Sequence, residues 1–133
     1  MRRLIPLILL SLLFTGCSTV SDKHKAMTLN TTIRAYESTI RWADFDTASG
    51  FIDRDKVEDP GPDPEVLKGI KVTSYQSTIV NVSEDGTEAE VIASIRYYND
   101  RRMSVVDLTD HQVWHYDEEL KRWFLEVPLP DFK

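Results

Sequence analysis

Residues 88–98 (EAEVIASIRYY) alternate, with Ala89, Val91, Ala93, Ile95 and Tyr97 on one side of the segment. A period of two is the signature of an extended strand with one buried face. Such a face must be covered, so the chain has to supply a second apolar surface. Leu29, Ile33, Tyr36, Ile40 and Ala43 recur at spacings of four and three, the stripe of an amphipathic helix. The two surfaces predict a helix lying on a sheet, with Ile33, Tyr36 and Ile40 against Val91, Ala93 and Ile95.

The rest of the chain extends this plan. Ile70 to Val82 is rich in Val, Ile, Thr and Tyr, and Asp85-Gly86 marks a hairpin turn into the alternating strand. On simple alternation, Ser74, Gln76 and Thr78 share a face with Ile70, Val72, Val80 and Val82. Met103 to Tyr116 reads as a long strand whose alternation falters in the middle, which indicates a bulge there. Trp123 to Val127 closes the sheet, and Pro128 and Pro130 end it because neither can donate to a ladder. Before the strands, Asp44 or Asp46 caps a second helix carrying Phe45, Ala48, Phe51 and Ile52. Residues 53–63 (DRDKVEDPGPD) form a loop, and Asp63-Pro64-Glu65 opens a single helical turn. The expected class is α+β, with N-terminal helices packed on a curved four-stranded antiparallel sheet.

The order of elements, with Tyr36-Glu37, Arg41-Trp42-Ala43-Asp44, Phe45 to Phe51, Ile92 to Tyr98, Gln112-Val113-Trp114 and Arg122-Trp123-Phe124-Leu125, resembles the nuclear transport factor 2-like, cystatin-like superfamily. The resemblance covers about residues 29–129. It implies a sheet curled around the long helix, often leaving a cone-shaped pocket. That pocket hosts isomerases, cyclases and dehydratases in some members and serves only protein partners in others, so fold does not settle function.

The amino terminus carries a separate signal. Arg2 and Arg3 precede an apolar run from Leu4 to Phe14 that is shorter than the roughly 20 residues a membrane-spanning helix needs. It fits the apolar region of a cleaved secretory signal. Phe14-Thr15-Gly16-Cys17 resembles a bacterial lipobox, although Phe14 stands where leucine is usual. The resemblance implies a signal peptide over 1–16 and diacylglycerol on the Cys17 thiol. The chain then divides into that signal, a lipidated cysteine and polar tether over 17–26, and the domain over 27–133. Two or more acyl chains anchor stably where one holds only marginally. In lipoproteins of this kind an aspartate after the cysteine is associated with retention in the inner membrane. Ser18 stands there instead, which points to the outer membrane, facing the periplasm. With one cysteine in the chain no intramolecular disulfide can form, so the core alone must hold the fold.

The formal charge is −6, and loss of Arg2 and Arg3 with the signal makes it more negative still. That sign opposes phosphate backbones and anionic headgroups, which excludes nucleic acid as a partner and leaves anchoring to the lipid on Cys17.

Chemistry-bearing residues are few. His111 and His115 are four apart, but in a strand that spacing spans about 13 Å, too far for both to ligate one zinc at about 2.0 Å. No metal or cofactor is expected. General acid–base chemistry needs a shielded carboxylate or histidine. Asp107 and His111 share a strand face and Asp44 lies near the helix end, which makes these three the catalytic candidates. Tyr36, Trp42, Tyr97, Trp114 and Trp123 are the candidates to line an apolar pocket, or else to fill the core. Two function classes follow. One is a non-enzymatic envelope lipoprotein that binds a protein, with the sheet as a surface for a partner or a second copy. The other is a small-ligand carrier or isomerase- or cyclase-like pocket enzyme.

Overall fold

The computed structural model describes residues 17–133. The expected signal peptide, residues 1–16, and the side chain of Cys17 lie outside the described residues. The chain is α+β: an N-terminal helix lies on a four-stranded antiparallel sheet of order β1-β2-β3-β4. The elements are α1 (Cys17–Arg41), α2 (Phe45–Ser49), α3 (Pro64–Leu67), β1 (Ile70–Val82), β2 (Glu88–Asn99), β3 (Ser104–Asp117) and β4 (Arg122–Leu125).

The helical stripe falls where its spacing places it, with Leu29, Ile33, Tyr36 and Ile40 buried. The start of the helix differs from expectation. α1 begins at Cys17, so the segment expected as an irregular tether is helical. Periodicity misses it because residues 20–24 are exposed on every side and bury no stripe. Lys25 then locks the helix to the sheet. Its Nζ lies 2.8 Å from Glu118 Oε1 and over the Tyr116 ring, and its carbonyl accepts the Trp123 indole N–H at 3.1 Å. Asp44 caps α2, accepting from the Thr47 N–H, and Asp63 caps α3 in the same way from Glu65. α2 is shorter than expected. Its register ends at Ser49, and residues 51–53 run along β4 instead, with Ile52 bridging Leu125 in parallel.

The sheet register decides which side chains face the helix. β2 and β3 pair without interruption, so the bulge expected in β3 is absent. The irregularities lie in β1, between Val72 and Ser74 and between Ile79 and Asn81. Thr73 is the extra residue in the first, and its hydroxyl donates to the Arg96 carbonyl at 3.1 Å. One inserted residue reverses the parity of everything after it. Ile70 and Val72 face inward, then Tyr75, Ser77 and Ile79 do, while Ser74, Gln76 and Thr78 turn to the outer face. The shared face expected for all of them is therefore corrected by a single residue.

Asp85-Gly86 forms the β1–β2 turn, with Gly86 at φ +70° and the Asp85 carboxylate accepting from Ser83 and Thr87. Beyond β4, residues 127–132 cross back over the end of the sheet. Phe132 is buried between Tyr97, 4.9 Å away edge-on, and Phe45, at 5.3 Å. Gly61, at φ +131°, lies against Leu129, where a Cβ would meet the Leu129 Cβ at 3.0 Å.

Candidate functional site

The aromatic candidates divide by position. Tyr36, Tyr97, Trp114 and Trp123 are all buried. Tyr36 meets Trp114 edge-on at 5.3 Å and Phe51 at 5.6 Å, and Phe51 meets Trp114 at 6.2 Å. This T-shaped trio fills the space between α1 and the sheet, the geometry that ring quadrupoles favour. Trp42 is the exception. It is 81% exposed, just past the end of α1, and stands on the rim of an open cleft of about 670 Å³. Phe45, Pro62 and Leu129 give this cleft apolar walls, while Arg54, Lys68 and Lys71 bring cations to it and Asp44, Asp46 and Asp63 an equal number of carboxylates.

The three catalytic candidates are not brought together. Asp44 is occupied as the α2 cap. Asp107 lies exposed on the outer face, bound in a bidentate pair to Arg96 at 2.7 and 3.0 Å. The Arg96 hydrogen bond holds its carboxyl below the usual carboxylate range. His111 is exposed on the same outer face, paired across to Ile92. His115, also on that side, has its nitrogens facing different carboxylates. Nδ1 lies 2.7 Å from Glu126 Oε1 and Nε2 3.6 Å from Asp53 Oδ2, so the two nitrogens face separate carboxylates and do not converge on one ion. Among the described residues no cluster of three His, Cys, Asp or Glu is arranged to hold a metal.

The inner face holds a polar cluster that reasoning from the sequence missed. Gln112 is buried and all of its amide is used. Its Nε2 donates to Tyr75 Oη at 2.8 Å and to Asp110 Oδ2 at 2.8 Å, and its Oε1 accepts from Trp114 Nε1 at 3.1 Å. Asp110 is half-buried, and burial pushes its carboxyl above the ordinary range against the opposing Gln112 hydrogen bond. Burial also raises the phenols of Tyr75 and Tyr36, and the Tyr36 hydroxyl has no hydrogen-bond partner among the described residues. Asp110 is reached from outside through a second cleft, of about 510 Å³, walled by Leu108, Val127 and Leu129 and rimmed by Asp59 and Asp131. Strand parity was the available signal. Asp110 is even-numbered like Trp114 and Tyr116, whose aromatic side chains mark the inward side of β3.

Chemically the Asp110 cleft offers a carboxyl of raised proton affinity with two buried phenols near it, and the Trp42 cleft offers one exposed indole. No helix among the described residues is long and apolar enough to cross a membrane. Comparison of the chain with protein-family models, curated proteins and solved structures finds no match.

Proposed function

We propose that the chain is a lipid-anchored envelope protein, held at the outer membrane through Cys17, whose domain binds a protein partner and performs no chemistry of its own. The arrangement of one long helix on an antiparallel sheet supports a nuclear transport factor 2-like domain. The observation that carries the binding reading is the contrast between its aromatics. Tyr36, Phe51 and Trp114 occupy the space where a pocket enzyme of this kind would hold substrate, while the Trp42 indole stands exposed at the widest of the clefts described above. Tryptophan and arginine, here Trp42 and Arg54, are among the residue types that carry most binding energy at protein interfaces. A photo-crosslinking side chain at position 42 should capture a discrete protein adduct in cells, and one at position 76 on the outer sheet face should not. Capture at 76 alone would move the binding surface to the outer face.

Asp110 favours a second reading, a small-ligand pocket, because a half-buried carboxyl with raised proton affinity at the foot of a cleft is a recurrent property of active sites. Asp110→Asn keeps the shape and the Gln112 hydrogen bond. Loss of the cellular role in that variant, with the fold intact, would select the pocket over the partner surface.

A further inference from the structure

The binding reading leaves open how the domain is held relative to the lipid, and α1 bears on this directly. Its first turns are continuous with the part that packs on the sheet, and no loop separates Cys17 from the domain. At Lys25 and Thr28 the helix is pinned by the Glu118 ion pair and the Trp123 indole, which donates to the Lys25 carbonyl and reaches the Thr28 hydroxyl at 3.3 Å. The β1–β2 turn lies at the same end, since a Cβ on Gly86 would approach the Lys25 side chain at 4.0 Å. Two hairpin tips, residues 83–87 and 117–121, therefore flank the amino-terminal half of α1. Trp42 and its cleft lie past the opposite end. At about 1.5 Å per residue, the end of α1 stands about 37 Å along the axis from Cys17 and about 25 Å from the level of the tips at Lys25.

We infer that α1 is a rigid strut which stands the domain on the bilayer, with hairpin tips 83–87 and 117–121 facing lipid and the Trp42 cleft presented away from it; this rests on Cys17 being acylated. One feature opposes a recumbent posture, and another sets how the tips meet the surface. Residues 20–24 are Val, Ser, Asp, Lys and His, all exposed, and supply no apolar face of the kind that lays a helix in the interface. The tips carry Glu84, Asp85, Glu118 and Glu119, all exposed, with Leu120 as their one large exposed apolar side chain. Anionic headgroups repel such tips, so they face the bilayer from above its surface without entering it, and attachment is left to the acyl chains. The partner that fits the Trp42 cleft is therefore one approaching from beyond the membrane surface, about a helix length away.

The test uses full-length acylated protein in phosphatidylcholine–phosphatidylglycerol vesicles containing a small fraction of acceptor-labelled lipid. Acylation consumes the Cys17 thiol, so Trp42→Cys and Glu119→Cys each provide a single labelling site. Energy transfer to the bilayer should be several-fold greater from position 119 than from 42. Breaking the strut with Asp22→Gly and Lys23→Pro, both in the exposed turns, should bring the two values together. Equal transfer in the unbroken protein would overturn the strut, as would a difference that survives the break. Protein that carries no acyl label on Cys17 would overturn the anchoring reading itself, and the strut with it.

Discussion

The two faces of the sheet have similar strand lengths and opposite chemistry. On the inner face, Ala89, Val91, Ala93, Ile95 and Tyr97 of β2 lie beside Gln112, Trp114 and Tyr116 of β3, and every one is buried. There Gln112 ties the polar groups of Tyr75, Asp110 and Trp114 into one network. On the outer face Ser74, Gln76, Ser94, Arg96, Asp107 and Thr109 lie exposed beside one another, and the Arg96–Asp107 pair is wet on both sides. Asp110 and Asp107 are three residues apart in one strand, yet burial raises the proton affinity of the first and an arginine lowers that of the second. The face on which a carboxylate stands determines its chemistry more than its place in the sequence does.

The strongest way to break the contrast is to insert one alanine between Ser74 and Tyr75. With one residue more, Gln76 and Thr78 would turn inward and Tyr75 and Ile79 outward. Cooperative unfolding should be lost, as judged by circular dichroism on heating. Next in size, Trp114→Ala removes a fully buried ring from the inner trio and should cost about 3–5 kcal/mol in urea titration. Gln112→Leu retains bulk but strands the Trp114 indole N–H, at a cost of about 1–3 kcal/mol.

Asp110→Asn sharpens the comparison through pH. The folded-state pKa of Asp110 is raised, so the folded chain holds the proton more tightly than the unfolded one. Stability falls as pH rises from the unfolded carboxylate value of about 3.9 through the folded value, and the penalty persists at neutral pH. The asparagine variant should unfold at higher urea than the parent at pH 7, with the gain vanishing in acid. Asp85 behaves oppositely. Hydrogen bonds from Ser83 and Thr87 depress it to about 2, so its contribution is present at neutral pH and is lost as pH falls toward that value. Smallest of all, Asp107→Asn should leave the urea midpoint unchanged, because exposed ion pairs contribute little.

Much of the fold was legible because burial imprints a period. The four–three spacing of Leu29, Ile33, Tyr36 and Ile40, the alternation in β2 and the Asp85-Gly86 turn all act locally. The first turns of α1 were illegible for the complementary reason, since residues 20–24 are exposed all round. The β1 bulge was hidden because Ile, Val, Thr and Tyr suit either face of a strand, so parity alone could not locate an inserted residue. The candidate site was read least well. Asp107 and His111 do share a face, as expected, but it is the outer one, and deciding this needs the pairing of β3 with β2. Trp42, a pocket candidate from its residue type, is exposed because it lies about 200° around the helix axis from Ile40, opposite the buried stripe.

The edges of the sheet have a consequence for behaviour at high concentration. β4 is shielded on its far side by the backbone of residues 51–53, through Leu125 N–H to the Phe51 carbonyl and Asp53 N–H to the Leu125 carbonyl. β1, at the other end of the order, is 13 residues long and is paired on one side only among the described strands. A straight edge of that length would be a template for strand-by-strand growth into fibrils. Thr73 and Val80 interrupt it, and the Arg41 guanidinium occupies the Val72 carbonyl, so the regular stretch shrinks to residues 74–79. The insertion that sets which side chains face the core thus also protects the molecule from templated aggregation, and a chain lacking Thr73 should form thioflavin-positive aggregates even under conditions that leave the parent monomeric.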